Sequence, residues 1–131
     1  MRENRFFRLI LTYETDLLDE EFLKFQSINA KVKKSWYTCL DNIFGLKTPY
    51  YDGYVKHLKL IDSNKREKVV EMLCYIVYDE NKKIDKFKQE HGIAWEKKLD
   101  ELIVKTAFDL VVYNVEAAAI PIIPVKAVIA D

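Results

Sequence analysis

Residues 93–119 read IAWEKKLDELIVKTAFDLVVYNVEAAA and hold the longest regular pattern in the chain. Apolar side chains recur there every three or four positions, at Leu99, Leu102, Ile103, Ala107, Leu110 and Val111. This spacing predicts a helix with one apolar stripe. Between Ala107 and Val115 apolar residues occupy nearly the whole circumference of the predicted helix, because its other faces carry Phe108, Val112 and Tyr113. We therefore expect the central helix of a helical domain, or a helix buried between subunits.

The composition of the chain fits one intracellular domain over residues 1–131. Half of the 131 residues are hydrophobic and 13% are aromatic, which is enough for a core. The 21 basic residues are balanced by 21 acidic residues. This balance argues against a protein that covers itself in nucleic acid, and it removes the repulsion that keeps copies apart. We expect neither a signal peptide nor a membrane-spanning segment.

Two further stripes and the scarcity of Gly and Pro predict an all-α fold, a bundle of three or four main helices. The first stripe ends at Gly45 and comprises Leu18, Phe22, Phe25, Ile28, Val32, Trp36, Cys39, Leu40 and Ile43. The second follows a cap at Asp62 or Ser63, keeps its phase to Ile84 and Phe87 before a stop at Gly92, and begins with Val69, Val70, Leu73, Ile76 and Val77. The segment 55–61 favours helix over strand.

Both ends of the chain differ from this pattern. Residues 5–13 (RFFRLILTY) lie in an N-terminal segment, 1–14, and fit a short strand, an arm on the bundle or a first helical turn. Residues 120–131 (IPIIPVKAVIAD) must be extended because Pro121 and Pro124 forbid a helix. This C-terminal arm is predicted to be an interaction surface through Ile120, Ile122, Ile123, Val125, Val128 and Ile129. Exposed to water it would aggregate, so it must cover its own bundle or a neighbouring copy, and both alternatives stay open.

The loop KTPYYDGY at residues 47–54 is a second candidate interaction surface. Its tyrosines, Tyr50, Tyr51 and Tyr54, either cover one end of the bundle or bind a partner protein.

No catalytic, metal or cofactor site is predicted. His57, His91, Cys39 and Cys74 stand apart in sequence, whereas metal ligands usually come in close pairs. Whether the two cysteines pair stays open. The acidic clusters at 16–21 and 79–80 are typical of helix starts and solvated faces. Lysine-rich clusters at 31–34, 65–68 and 82–88 are compatible with nucleic-acid binding, although interleaved acidic residues disfavour it.

In length, in its tail at 120–131 and in its Lys-, Glu-, Ile- and Tyr-rich composition, the chain resembles the small structural (coat) proteins of viruses of hot-acid archaea, such as the two-tailed virus of Acidianus. The resemblance implies a thermophilic virion protein. We expect a self-assembling structural protein without catalytic activity, whose main partner is itself. The alternative is a small binding module of the antitoxin, immunity or adaptor type; a nucleic-acid-binding protein is the third reading.

Overall fold

The computed structural model describes residues 4–25, 59–77 and 82–130. In chain order its elements are strand β1 (Asn4–Glu14), short helix α1 (Asp19–Leu23), strands β2 (Lys59–Asn64) and β3 (Glu67–Val77), helix α2 (Lys82–His91), a 3-10 turn (Gly92–Ala94), helix α3 (Trp95–Ala117) and strand β4 (Ile123–Ala130). The prediction of an all-α helical bundle is wrong. The fold is mixed, with one long helix and a four-stranded sheet.

The sheet has the strand order β2-β3-β1-β4, and all neighbouring strands are antiparallel. β1 pairs with β3 from Asn4↔Val77 to Glu14↔Glu67. On its other side it pairs with β4, from Arg8↔Ala130 to Glu14↔Ile123. The N-terminal segment is therefore an interior strand and not an arm. The described elements follow a β-α-β-β-α-α-β order, and because unrelated functions occur on the same folds, the fold alone does not indicate an activity.

Alternation along β1 explains why this segment forms a strand. Its side chains at every second position are buried, and these are Phe7, Leu9, Leu11 and Tyr13. A period of two puts them on one face of the sheet, which the helices cover. Phe6 and Ile10 are apolar too but belong to the opposite face, and they obscure the alternation in the sequence.

The prediction of a helix for the apolar stripe at residues 69–77 is wrong, because these residues lie in strand β3. Val70 and Met72 pair with Leu11 and Leu9 in the sheet and are buried beside them. Short apolar runs fit a buried strand and a helix equally well by periodicity. Asp62 and Ser63, predicted to cap a helix, lie in β2. Part of the predicted helix at 55–61 also lies in β2, which begins at Lys59.

The long helix predicted from residues 93–119 is present as α3. It buries residues spaced by four, namely Leu99, Ile103, Ala107, Val111 and Val115. The expectation that it is covered on every side is wrong within this chain, because Tyr113 is exposed. α2 adds Ile84 and Phe87 to the same core. It ends at His91, before Gly92, whose φ of 60° lies in the left-handed region that favours glycine.

The C-terminal arm is extended as predicted, but β4 is a paired strand of the sheet. The tyrosine loop (Tyr50, Tyr51 and Tyr54), His57, Cys39 and the first predicted helix beyond residue 25 lie outside the described residues. Cys74 lies in β3, opposite Phe7.

Candidate interaction site

Among the strands of residues 4–25, 59–77 and 82–130, β4 lies at one edge of the sheet, and its two halves differ in how regular that edge is. In the first half, Pro124 lacks a backbone N–H, and the register against β1 shifts between Lys126 and Pro124, which leaves Val125 as the extra residue of a bulge. Proline, bulges and lysine are devices that keep edge strands from pairing with other chains. The second half, Ala127 to Ala130, carries none of them and stays in register with β1. Only this half offers a regular edge.

The six residues predicted for the arm divide into two groups. Ile122 is buried, and Ile120 and Ile129 pack half-buried against the core. Ile123, Val125 and Val128 are exposed by 56%, 44% and 45%. The first group stabilises the monomer, because it covers the chain's own sheet. The second group remains available for another surface, so the arm packs on its own chain and still leaves apolar side chains in water.

A groove runs between this edge strand and α3. One part has a volume of about 540 Å³ and lies beside Ala127, Val128 and Ile129. A second part of about 390 Å³ lies beside Val125, Lys126 and Ala127. The two parts are continuous, since they share the same wall residues at their junction: Glu101, Val104 and Ala127. The sequence pattern does not indicate that Val104 lies at a surface, and it predicts a buried face for Phe108, which lines this groove.

Charge is unevenly distributed along the groove. The part beside Ile129 is mainly acidic, with Glu96, Asp100 and Glu101 against Lys97. The part beside Val125 carries two lysines, Lys105 and Lys126. On the helix, Lys105 Nζ lies 2.8 Å from Asp109 Oδ2, and Lys98 Nζ lies 3.6 Å from Glu101 Oε2. Such exposed pairs within one helix contribute only a few tenths of a kcal/mol, about 0.3–0.5 each, so they do not prevent either residue from facing a partner.

The opposite edge of the sheet is different in character. β2 has a register irregularity at Ile61 between Leu60 and Asp62, and it continues with polar Ser63 and Asn64. Ile61 is its exposed large apolar side chain. The two edges of the sheet are therefore not equivalent, and β4 is the more apolar one.

The start of β4 is fixed by Thr15, whose hydroxyl donates a hydrogen bond to the carbonyl oxygen of Pro121 at 2.8 Å. The same hydroxyl oxygen accepts from the backbone N–H of Leu17 at 3.1 Å. The backbone N–H of Thr15 donates to the carbonyl of Arg66 at 2.7 Å. One buried residue thus connects the end of β1, the β2–β3 turn and the entry into β4.

A Ser–Lys–Asp cluster was not expected from the sequence. Lys68 Nζ lies 2.6 Å from Asp19 Oδ1 and donates to Ser63 Oγ at 2.8 Å, while the Ser63 hydroxyl donates to Asp19 Oδ1 at 2.6 Å. The lysine side chain is only 5% exposed. The hydrogen bonds from Lys68 and Ser63 hold the pKa of Asp19 below its ordinary value of 3.8.

The chemistry of this cluster favours a structural role. A serine nucleophile needs a base that takes its proton, but Lys68 Nζ donates to both Ser63 Oγ and Asp19 Oδ1 in this arrangement. An aspartate of lowered pKa is a weak base. The cluster connects the start of α1 to β3, and Phe22 of α1 packs on Tyr13 with ring centroids 5.6 Å apart. Asp19 is predicted from the sequence to be one of the acidic residues at a helix start. In the structure it also forms an ion pair with buried Lys68.

The basic clusters of the described part of the chain have partners of their own. Lys68 pairs with Asp19, and Arg66 Nε lies 2.9 Å from Asp16 Oδ1. Lys86 lies 4.0 Å from Glu90, and Lys88 sits over the ring of Trp95 at 4.5 Å. These contacts favour the interpretation of the clusters as mixed-charge surface over that of a phosphate-binding patch.

Residues 4–25, 59–77 and 82–130 contain neither a metal-ligand cluster nor a membrane-spanning helix. No three His, Cys, Asp or Glu side chains converge there as metal ligands. In the same ranges no helix has both the length and the hydropathy needed to span a bilayer. The comparisons with known proteins do not point to a function, because no family model, curated protein or solved structure matches the chain.

Proposed function

We propose that this protein is a non-catalytic structural protein that assembles with copies of itself, and that a second copy covers the face formed by α3 and β4. One observation carries the proposal: an edge strand with exposed Val125 and Val128 borders an apolar-centred groove. Exposed β-branched side chains beside an open strand edge are a typical surface for strand addition. Its occupant gains main-chain hydrogen bonds and apolar burial together.

A second copy fits this surface better than an unrelated partner because the groove carries both signs of charge. Its acidic part and its lysine-bearing part are the complements of each other. A chain with a formal net charge of zero also has no long-range repulsion between copies. The resemblance to archaeal virus coat proteins belongs to the same proposal: this face would supply one of the contacts of a shell or lattice.

Molar mass by light scattering behind a sizing column tests the proposal, measured over a wide range of protein concentration. We expect the mass of the wild type to rise with concentration from 15.5 kDa toward at least twice that value. Val128→Asp should raise the midpoint of this transition at least tenfold, because it places a carboxylate in an apolar contact. Ile61→Asp is the matched control, since it changes an equally exposed apolar residue on the opposite edge strand.

The two variants separate the possible outcomes. Equal weakening by Val128→Asp and Ile61→Asp would mean that the β4 face is not the contact. A wild type that stays at 15.5 kDa at every concentration would contradict self-assembly and favour the alternative of a module that binds a different protein.

A further inference from the structure

The order of charges along the groove constrains how a second copy can lie on it. Along α3 the acidic group, Glu96, Asp100 and Glu101, precedes Lys105. A copy placed in the same direction would set acidic residues against acidic residues. A copy turned by 180° about an axis through the junction would set Lys105 of each chain opposite the acidic group of the other.

The strand edge leads to the same arrangement. Two identical edge strands related by a twofold axis perpendicular to the sheet run antiparallel, and residues directly opposite each other lie on the same face. An axis at Lys126 would set two lysines directly opposite each other, which is unfavourable. An axis at Val128 avoids the bulge, because it sets Ala127 opposite Ile129 and Lys126 opposite Ala130. The exposed Val128 side chains of the two copies then lie directly opposite each other at the axis.

We infer that two copies join through β4 in an antiparallel, twofold-symmetric pair centred on Val128, with Lys105 of each chain facing Glu101 of the other. This inference rests on the proposed function, and it names the symmetry and the charged contact of that same face. The result is one continuous sheet built from the described strands of both copies, with both α3 helices on the same side. Because such a contact is self-complementary, it closes at two copies. Any larger assembly must use a different face.

A charge-exchange experiment tests this geometry. Lys105→Glu alone brings acidic residues together twice in the pair, and Glu101→Lys alone brings basic residues together twice. Each single variant should dimerise at least tenfold more weakly than the wild type at low salt, and the loss should shrink as salt is added. An equimolar mixture of the two variants restores both opposite-charge contacts. We expect the mixture to dimerise within about threefold of the wild type, a difference of less than 1 kcal/mol.

Lys86→Glu is the control for effects within a helix. Lys86 and Glu90 form an exposed i,i+4 pair on α2, as Lys105 and Asp109 do on α3. This variant therefore has the same change of charge and loses the same kind of pair, and it should dimerise like the wild type.

The outcomes distinguish failure of the geometry from failure of the proposed function. If the wild type dimerises but the mixed variants do not recover, the antiparallel register is wrong while self-assembly stands. The same holds if the single variants dimerise as the wild type does. A wild type that never dimerises overturns the proposed function itself.

Discussion

The hydroxyl of Thr15 donates a hydrogen bond to the carbonyl oxygen of Pro121 at 2.8 Å, across 106 positions of sequence. This bond fixes the chain just before β4 begins and so sets where the edge strand lies. Thr15 is itself 2% exposed, and its oxygen also accepts from the backbone N–H of Leu17. The position of the proposed contact surface thus depends on one residue at the end of β1.

We predict that Thr15→Val lowers the free energy of unfolding by about 1–3 kcal/mol, because it leaves the carbonyl of Pro121 and the backbone N–H of Leu17 without their partner in a partly buried site. Thr15→Ser keeps the hydroxyl and should lower the free energy of unfolding by less. Urea unfolding followed by circular dichroism measures both. Equal losses for the two variants would show that the methyl group, and not the hydrogen bond, is what matters.

A pair of neighbouring residues on α3 tests the placement of the core. Ile103 is 2% exposed and Leu102 is 38% exposed. Ile103→Ala should lower the free energy of unfolding by about 2–5 kcal/mol, since it leaves a cavity. Leu102→Ala should cost less than about 1 kcal/mol. Similar losses at both positions would contradict the assignment of the buried stripe.

Deletion of residues 120–131 should abolish cooperative unfolding. From the sequence alone this segment looked like an arm whose removal would leave the helices folded. In the structure it holds buried Ile122 and the strand paired with β1 along residues 8–14. A truncated chain that still melts cooperatively would show that β4 is not integral to the sheet. Substitutions, and not truncations, are therefore the right tests of assembly.

The ion pair between Asp19 and Lys68 predicts a loss of stability in acid. The pKa of Asp19 is lowered in the folded state, so the pair stabilises the fold at a pH above the unfolded value of about 3.8 and loses that contribution as the pH falls through the folded pKa. Asp19→Asn should be less stable than the wild type at pH 6. The two should converge once the pH falls below the folded pKa of Asp19. Asp85→Asn on the exposed side of α2 is the control and should follow the wild type throughout.

Sequence patterns identified the long helix, because α3 repeats its buried apolar positions every four residues from Leu99 to Val115. They failed for β3, since Val69, Val70 and Leu73 fit a helical spacing as well as a strand. For β1 they left a strand, an arm and a helical turn open, because Phe6 and Ile10 add apolar side chains to its second face. The pairing of β1 with β3 joins residues about sixty positions apart, and no local pattern encodes that register.

Only part of the candidate site could be predicted from the sequence, for the same reason. The apolar composition of residues 120–131 marked the right segment. Which of its side chains are exposed depends on the pairing with β1 and on the bulge at Val125, so Ile122 and Val128 could not be told apart. The part of the groove that α3 forms could not be predicted from the sequence either, because Val104 and Phe108 become neighbours of β4 only when the helix lies on the sheet.

Amide hydrogen exchange along β4, measured at several protein concentrations, tests the central claim most directly. Alternate amides of β4 point away from β1, and none of the other strands in residues 4–25, 59–77 and 82–130 pairs with them. We predict that those between Ala127 and Ala130 exchange quickly in dilute solution and slow by at least tenfold when the protein is concentrated, while amides of β2 do not change. Exchange along β4 that is fast and independent of concentration would contradict the pairing of two copies through this strand.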